Sequence, residues 1–453
     1  MPEVWPRAVL ALLAAAGERP VFEHADRQVS GAEMAALIRR IAAGLRRDGI
    51  GPGDGVLLAL GVHPEAFAAV FAAFAVGARV AGGRADQLDG LLADADATLI
   101  DEDRLAGLLR SPDLPLRVAG RPGDPARIIY TSGSTGKPKG CVQTYAAMTA
   151  AWAAHPDRWP PAIRQLAARL DRYLVFGSLT SQVMLEYGVL TLAAGGTLVT
   201  AQPPAFPAAF VRHRATASVI TVGKLHQLVR AQRADPADLS TLRALMVSGS
   251  PLDPARLKEA LDVLGPVIFH GYGQTETGMI AMVTPAELLA SPAALASVGR
   301  PPDAVDVRLR DGELYVRTPA QASAYWRDPA ATAEVFVDGW VRTRDLAAVD
   351  DEGYLRLLGR TRDVIFVHAE LVHAGPVERA LAAHPDVAEA YVVGRPDDDT
   401  GEAVHAFVVP AAGRRPDPAT LRGLLAGAAV PKTITLIDRV PLTAAGKPDK
   451  SAL

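Results

Sequence analysis

The stretch Tyr130-Thr-Ser-Gly-Ser-Thr-Gly-Lys-Pro-Lys-Gly140 decides how the rest of the chain is read. The apolar run Ile128-Ile129-Tyr130 before it has the look of a short strand. That strand empties into three glycines (Gly133, Gly136, Gly140) and four hydroxyl residues (Thr131, Ser132, Ser134, Thr135). Glycines let backbone N–H groups curl around an oxyanion, and hydroxyls add uncharged donors. Lys137 and Lys139 bring the positive charge that phosphates require. The segment is built to hold a polyphosphate, although it is not the common P-loop. That motif places four residues between its glycines and a Ser or Thr after its lysine. Here two residues separate Gly133 from Gly136, and Pro138 follows Lys137. Taken alone, such a segment also suits an ordinary surface loop rich in small residues.

Outward from this loop, strand-like and helix-like segments alternate. Ser30-Gly-Ala-Glu33 reads as a capping box that opens a helix, with Met34, Leu37, Ile38, Ile41 and Leu45 on one face and Gly49 as its C-terminal cap. Short apolar strands are expected at Val56–Leu60, Leu174–Phe176, Thr197–Val199, Ser218–Val222, Ala244–Val247 and Val267–Phe269. Continuous apolar strands between helices indicate mostly parallel sheets covered on both faces. Such sheets bind ligands beyond the carboxyl ends of their strands, where Tyr130 and the segment after Phe269 emerge.

The pattern changes after Gly359. Strands near 364–367, 390–393, 405–409 and 433–437 and helices from Pro376 and Pro418 make a compact α+β unit. The predicted fold class is therefore α/β, with a large domain over residues 1–358 made of mostly parallel sheets flanked by helices. A hinge at 359–362 and a small α+β domain over 363–453 follow.

At 453 residues the chain is long for one core, and 49% hydrophobic residues are ample for packed cores. A net charge of −3 without a long basic run gives nucleic-acid binding no electrostatic support. The single cysteine, Cys141, rules out an internal disulfide framework, fits a reducing cytoplasm and reads as a small buried residue rather than a nucleophile. Val9-Leu-Ala-Leu-Leu-Ala-Ala-Ala16 has signal-peptide-like character but is short, and an amphipathic opening helix is the expectation. No stretch approaches the roughly 20 apolar residues of a membrane span.

Further short motifs follow in a fixed order: Val247-Ser-Gly-Ser-Pro-Leu252, Gly271-Tyr-Gly-Gln-Thr-Glu276, Gly312-Glu-Leu314, Trp340-Val-Arg-Thr-Arg-Asp345, Gly359-Arg-Thr-Arg-Asp363 and Pro441-Leu-Thr-Ala-Ala-Gly-Lys447. Together with the glycine loop they resemble the adenylate-forming superfamily of acyl- and aryl-CoA synthetases, adenylation domains and luciferases. The resemblance runs from about residue 20 to the C-terminus.

That resemblance implies an ATP- and Mg²⁺-dependent, AMP-forming acid–thiol ligase whose small domain is mobile. It would activate a small-molecule carboxylic acid as an acyl-adenylate and pass the acyl group to coenzyme A, or to the phosphopantetheine of a carrier protein. It casts Lys447 as the catalytic lysine between carboxylate and α-phosphate, Thr275 as an α-phosphate donor and Glu276 as the metal ligand. Thr131, Ser132, Gly133, Ser134, Thr135, Gly136 and Lys139 would cradle the phosphates. Gly249, Ser250 and Pro251 would form one side of the adenine slot, and His270, Gly271 and Tyr272 the other; His270 reads equally well as a structural support. Asp345 would accept hydrogen bonds from the ribose hydroxyls, with Arg360 as its partner.

Departures from the family pattern cluster on the side used for acyl transfer. Ala369 occupies the place of a glycine that lines the pantetheine path, Ala374 and Pro376 replace the usual Pro and Glu, and Arg344 replaces the glycine before Asp345. Arg362 stands at the hinge, where Asp or Lys is usual, and Ala81-Gly-Gly83 replaces and shortens a proline-containing connection. Thr180 or Ser181 stands where an aromatic or histidine gate is common, and no aspartate is placed to bind an α-amine, which disfavours free amino acids. The polar residues of 178–182 and 221–224, with Gly271 leaving space before Tyr272, point to a polar or aryl acid. Two other classes stand beside the ligase: a non-catalytic nucleotide-binding relative, and an enzyme adenylating another oxyanion such as nitrite for amine diazotisation.

Overall fold

The computed structural model describes residues 3–82, 88–131, 139–178, 180–200, 205–250, 252–361, 363–368, 370–442 and 448–453. An eight-stranded sheet runs in the order Gly278–Val283, Ile268–Gln274, Ala244–Ser248, Ala217–Thr221, Arg172–Val175, Thr197–Thr200, Pro20–His24, Arg27–Ser30. Its inner pairings are all parallel and only the two outermost are antiparallel. The sheet expected from continuous apolar runs is thus present. A six-stranded sheet orders Ala324–Tyr325, Lys139–Thr144, Pro125–Thr131, Arg79–Gly82, Gly55–Leu58 and Ala97–Ile100.

Between these sheets lies the helix Pro64–Val76, of which only Glu65 escapes burial. A helix apolar on every side must be enclosed, because any exposed face would leave hydrocarbon in water. His63 caps its N-terminus through Nδ1, and Gly77 ends it at φ 88°. Phe67, Phe71 and Phe74 are all fully buried; Trp5 packs 5.8 Å from the Phe71 ring and 5.9 Å from that of Phe74. Each buried ring contributes about 2–3 kcal/mol from area removed from water. The opening segment forms the helix Arg7–Ala16, with Val9 and Leu13 in the same core. Ser30 accepts from the Glu33 N–H at 3.1 Å and starts the helix Gly31–Arg47, while the Glu33 carboxylate pairs with Arg27.

A third sheet, five-stranded and antiparallel, comprises Asp306–Arg310, Glu313–Arg317, Trp340–Val349, Phe336–Val337 and Leu355–Arg360. Trp340–Val349 alternates half-buried and buried residues along most of its length, the period-two signature of a strand with one covered face. A fourth sheet contains Glu370–His373, Val364–Val367, Gly401–Pro410, Val387–Asp397 and Thr433–Leu436. Its core, from Ile365 to Leu421 with Leu436 packed against it, draws only on the C-terminal part of the chain. Among the described residues no helix is long and apolar enough to cross a membrane.

Candidate active site

The ends of the parallel strands converge on one region. The strand Ile268–Gln274 is longer than the run Val267–Phe269 suggested, because it carries the Gly271-Tyr-Gly-Gln motif into an antiparallel pairing with Gly278–Val283. Tyr272 is therefore held on a strand rather than in a loop. The turn joining the two strands presents Thr275 and Glu276, both partly exposed, and is closed by Thr277 N–H donating to the Gln274 carbonyl at 3.2 Å.

Tyr272 donates its hydroxyl to Asp345 Oδ2 at 2.5 Å, and Gln274 Nε2 donates to the same oxygen at 2.7 Å. Arg360 Nε donates to Asp345 Oδ1 at 3.0 Å. Asp345 and Arg360 are register partners on neighbouring strands, which sets this contact before any side chain turns. Asp345 is only 4% exposed. Burial and the adjoining carboxylate push the Tyr272 phenol far above its ordinary range, so it remains a donor. Tyr272, Asp345 and Arg360, all picked from the sequence, form one bonded group, and Gln274 joins them. Its place two residues beyond Tyr272, on the same strand face, was the available signal.

A second group forms around Glu276. Tyr325 donates its hydroxyl to Glu276 Oε1 at 2.6 Å, and Lys139 Nζ lies 5.3 Å from the centre of the Tyr325 ring. Tyr325 was not singled out in the sequence. It arrives because Ala324–Tyr325 pairs with the strand Lys139–Thr144, placing Tyr325 opposite Cys141. Cys141 is fully buried and burial drives its thiol well up, so it has no thiolate nucleophile to offer. Lys139 is the register partner of Thr131 at the strand ends that flank the glycine loop, and the glycine-loop residues Ser132, Gly133, Ser134, Thr135 and Gly136 lie outside the described residues, as does the side chain of Thr131. Gly249 and Ser250 sit just past the carboxyl end of Ala244–Ser248; Pro251 lies outside the described residues.

His270 is buried, and its Nδ1 has no partner among the described residues. It is 5% exposed, its ring is held by the Ser297 backbone, and burial lowers its imidazole to about 4. Its neighbour Gly271 projects to the opposite sheet face, where a Cβ would lie 2.3 Å from Met246 Cε. The space expected before Tyr272 is thus filled by a flexible thioether. Gly82 is filled likewise: a Cβ there would lie 1.7 Å from Thr180 Oγ1, which bonds the Ser178 hydroxyl at 2.7 Å. Lys224 Nζ lies 5.5 Å and 5.4 Å from the ring centres of Phe176 and Phe206.

Lys447, Arg362 and Ala369 lie outside the described residues. Among the described residues of the stretch read as the acceptor loop, His368 is left-handed, at φ 50°, and its N–H donates to the Thr400 carbonyl at 2.9 Å. Arg344 stands at φ 59°, which explains why glycine suits that position.

The sequence profile of the AMP-binding enzyme family matches residues 12–101 and 83–326, and that of the AMP-binding enzyme C-terminal domain matches 376–447. Feruloyl-CoA synthase of an Amycolatopsis species is 32% identical over 94% of this chain and 93% of its own. Indoleacetate–CoA ligase of Aromatoleum aromaticum is 33% identical over 93% of this chain and 92% of its own. The amide bond synthetase McbA of Marinactinospora thermotolerans superposes with a TM-score of 0.86 at 33% identity, covering 98% of both chains.

Proposed function

The chain belongs to the AMP-binding enzyme family of ATP-dependent, AMP-forming ligases, and on that premise we propose that it joins an organic acid, aryl or acyl, to coenzyme A through an acyl-adenylate. The observation that carries this reading is the Tyr272–Gln274–Asp345–Arg360 group beside the Glu276–Tyr325–Lys139 group. One presents a fixed carboxylate for vicinal hydroxyls; the other holds a carboxylate for a hard cation on phosphate oxygens.

A carboxylate is a poor electrophile, and its approach to a triphosphate brings two anions together. Neutralising and aligning those charges is the main catalytic need. In the first half-reaction the carboxylate oxygen attacks the α-phosphorus and pyrophosphate leaves. In the second, the acceptor sulfur attacks the acyl carbon and AMP leaves with the bonding pair. Asp345 takes the ribose hydroxyls, Tyr272 and the 249–251 turn flank adenine, and the loop from Thr131 with Lys139 holds the phosphates. Thr275 donates to the α-phosphate, and Lys447 supplies the ammonium between the reacting anions. A single carboxylate such as Glu276 suits magnesium, which keeps waters and takes most ligands from substrate phosphate. When bound there, the ion would neutralise charge on the departing pyrophosphate. We assign residues 1–358 to a large domain, 359–362 to a hinge and 363–453 to a small domain that delivers Lys447.

A second acceptor, an amine, is favoured by one observation: the likeness to an amide bond synthetase. In that case an amine nitrogen attacks the adenylate and loses a proton as AMP departs. The deciding experiment screens acids by pyrophosphate release, then offers preformed acyl-adenylate to coenzyme A, a holo-carrier protein and a panel of amines. Thioester with coenzyme A supports the first reading; amide alone replaces it; no adenylate from any acid sinks both.

A further inference from the structure

The last residues of the chain are tied to the hinge by a charge cluster that the chemistry above leaves unused. Lys450 Nζ lies 2.7 Å from Glu378 Oε1 and 3.2 Å from Asp363 Oδ2. The side chains of Lys450, Asp363 and Glu378 are 27%, 26% and 17% exposed. Glu378 belongs to the helix Ala374–Ala382 and also accepts from the Val392 N–H at 2.7 Å, so it is locked to the small sheet. Asp363 donates its N–H to the Arg360 carbonyl and accepts from the Ala374 N–H, each at 3.0 Å. It sits three residues beyond the Asp345 partner Arg360, where the small domain begins.

The tail is closed on itself just before this anchor. Leu442 and Pro448 form an isolated antiparallel bridge, and the Asp449 N–H donates to the Pro441 carbonyl at 2.8 Å. The two ends of the interval that contains Lys447 in the sequence are thereby brought together two residues before Lys450. One cation serves two half-buried carboxylates. Burial pushes the Glu378 carboxyl up, and Lys450 only partly offsets this. Without the ammonium the two acids would repel each other and the tail would lose the ion pairs that hold it to Glu378 and Asp363.

We propose that Lys450 is a positioning residue for adenylation: by clamping the tail to Glu378 and Asp363, it fixes Lys447 to the small domain so that the two move as one body. The proposal rests on the assignment of Lys447 to the first half-reaction. An arginine would meet the same two carboxylates, whereas an uncharged side chain of equal length would not.

The test uses the full chain, with acid-dependent pyrophosphate exchange and ATP affinity measured side by side. Lys450→Met is expected to lower the exchange kcat about 10- to 100-fold while the Kd for ATP stays within about threefold, and Lys450→Arg to recover activity to within about fivefold of wild type. Should Lys450→Met not fold, Glu378→Gln takes its place, because its amide still accepts from Val392 while losing the charge; the same split is expected. Exchange at the wild-type rate in Lys450→Met, or exchange and ATP affinity falling together, overturns the proposal. Lys447→Ala is the reference: unchanged exchange in it overturns the parent assignment too, whereas a dead Lys447→Ala beside a fully active Lys450→Met sinks the clamp alone.

Discussion

Tyr325 lies between two groups that the sequence pointed to separately, donating to Glu276 and presenting its ring to Lys139. A phenol that donates to a carboxylate fixes which way the free oxygen faces, and an ion that demands near-ideal geometry is sensitive to that direction. Tyr325→Phe should therefore raise the magnesium concentration needed for half-maximal ATP binding by about 5- to 10-fold, the equivalent of about 1 kcal/mol, because the lost hydrogen bond acts on the ion only through the orientation of Glu276. Calorimetric titration of ATP at stepped magnesium concentrations reads this without relying on turnover. An unchanged requirement would remove Tyr325 from the metal side of the site. Arg344 illustrates a different residue-level effect. At φ 59° its backbone is strained, and its ion pair with Glu334 at 2.8 Å is partly solvent-exposed and worth little. Arg344→Gly and Arg344→Ala lose the same pair, but only glycine relieves the backbone. The glycine variant should be more stable than the alanine variant by about 1 kcal/mol in denaturant titration.

At the scale of elements, the strand Pro125–Thr131 and the helix Gln182–Ala193 carry opposite charges into the interior. Arg127 is 5% exposed; two of its nitrogens donate to Gln143 Oε1, and Nη1 has no partner among the described residues. Burial pushes the Glu186 carboxyl from its ordinary 4.5 up to about 7, with Arg127 opposing. A carboxyl whose folded pKa is raised stabilises the fold only while protonated: the unfolded chain releases its proton near 4.5, the folded one near 7. Stability should fall as pH rises across that window, by on the order of 3 kcal/mol, and stay flat above it. Glu186→Gln should flatten the profile, which thermal melts of both proteins between pH 5 and 8 would show. Equal slopes in the two proteins would remove Glu186 as the cause. The parallel strands were legible in the sequence because burial on both faces leaves a continuous apolar run, and the cap at Ser30 was legible because it is local. The helix Pro64–Val76 offered no periodicity to find, since all its faces are covered. The antiparallel sheet from Asp306 to Arg360 hid behind charged edge residues, and Tyr325 owes its role to a strand pairing across some 180 positions that no local pattern encodes.

On the proposed assignment, the nucleotide-binding groups belong to the large unit and the tail that carries Lys447 in the sequence belongs to the small one. Tyr272, Asp345 and Glu276 stay with the sheets that end at Arg360, while Lys450 binds the tail to Glu378 and Asp363 beyond it. A catalyst divided in this way would separate its two half-reactions by which surface the small unit presents. Lys447→Ala should accordingly reduce acid-dependent pyrophosphate exchange by at least about 100-fold, because a charge-compensating cation is lost where two anions meet. ATP binding should remain within about threefold, since the ribose and adenine contacts belong to the other unit. Acyl transfer from supplied adenylate should also persist within about threefold if, as proposed, the small unit turns away from the phosphate site for that step. Comparing single-turnover rates for adenylate formation and adenylate consumption in one preparation decides the matter. Parallel loss in both would mean that the lysine supports the fold or a shared conformation, and that the two half-reactions are not divided between faces of a moving domain.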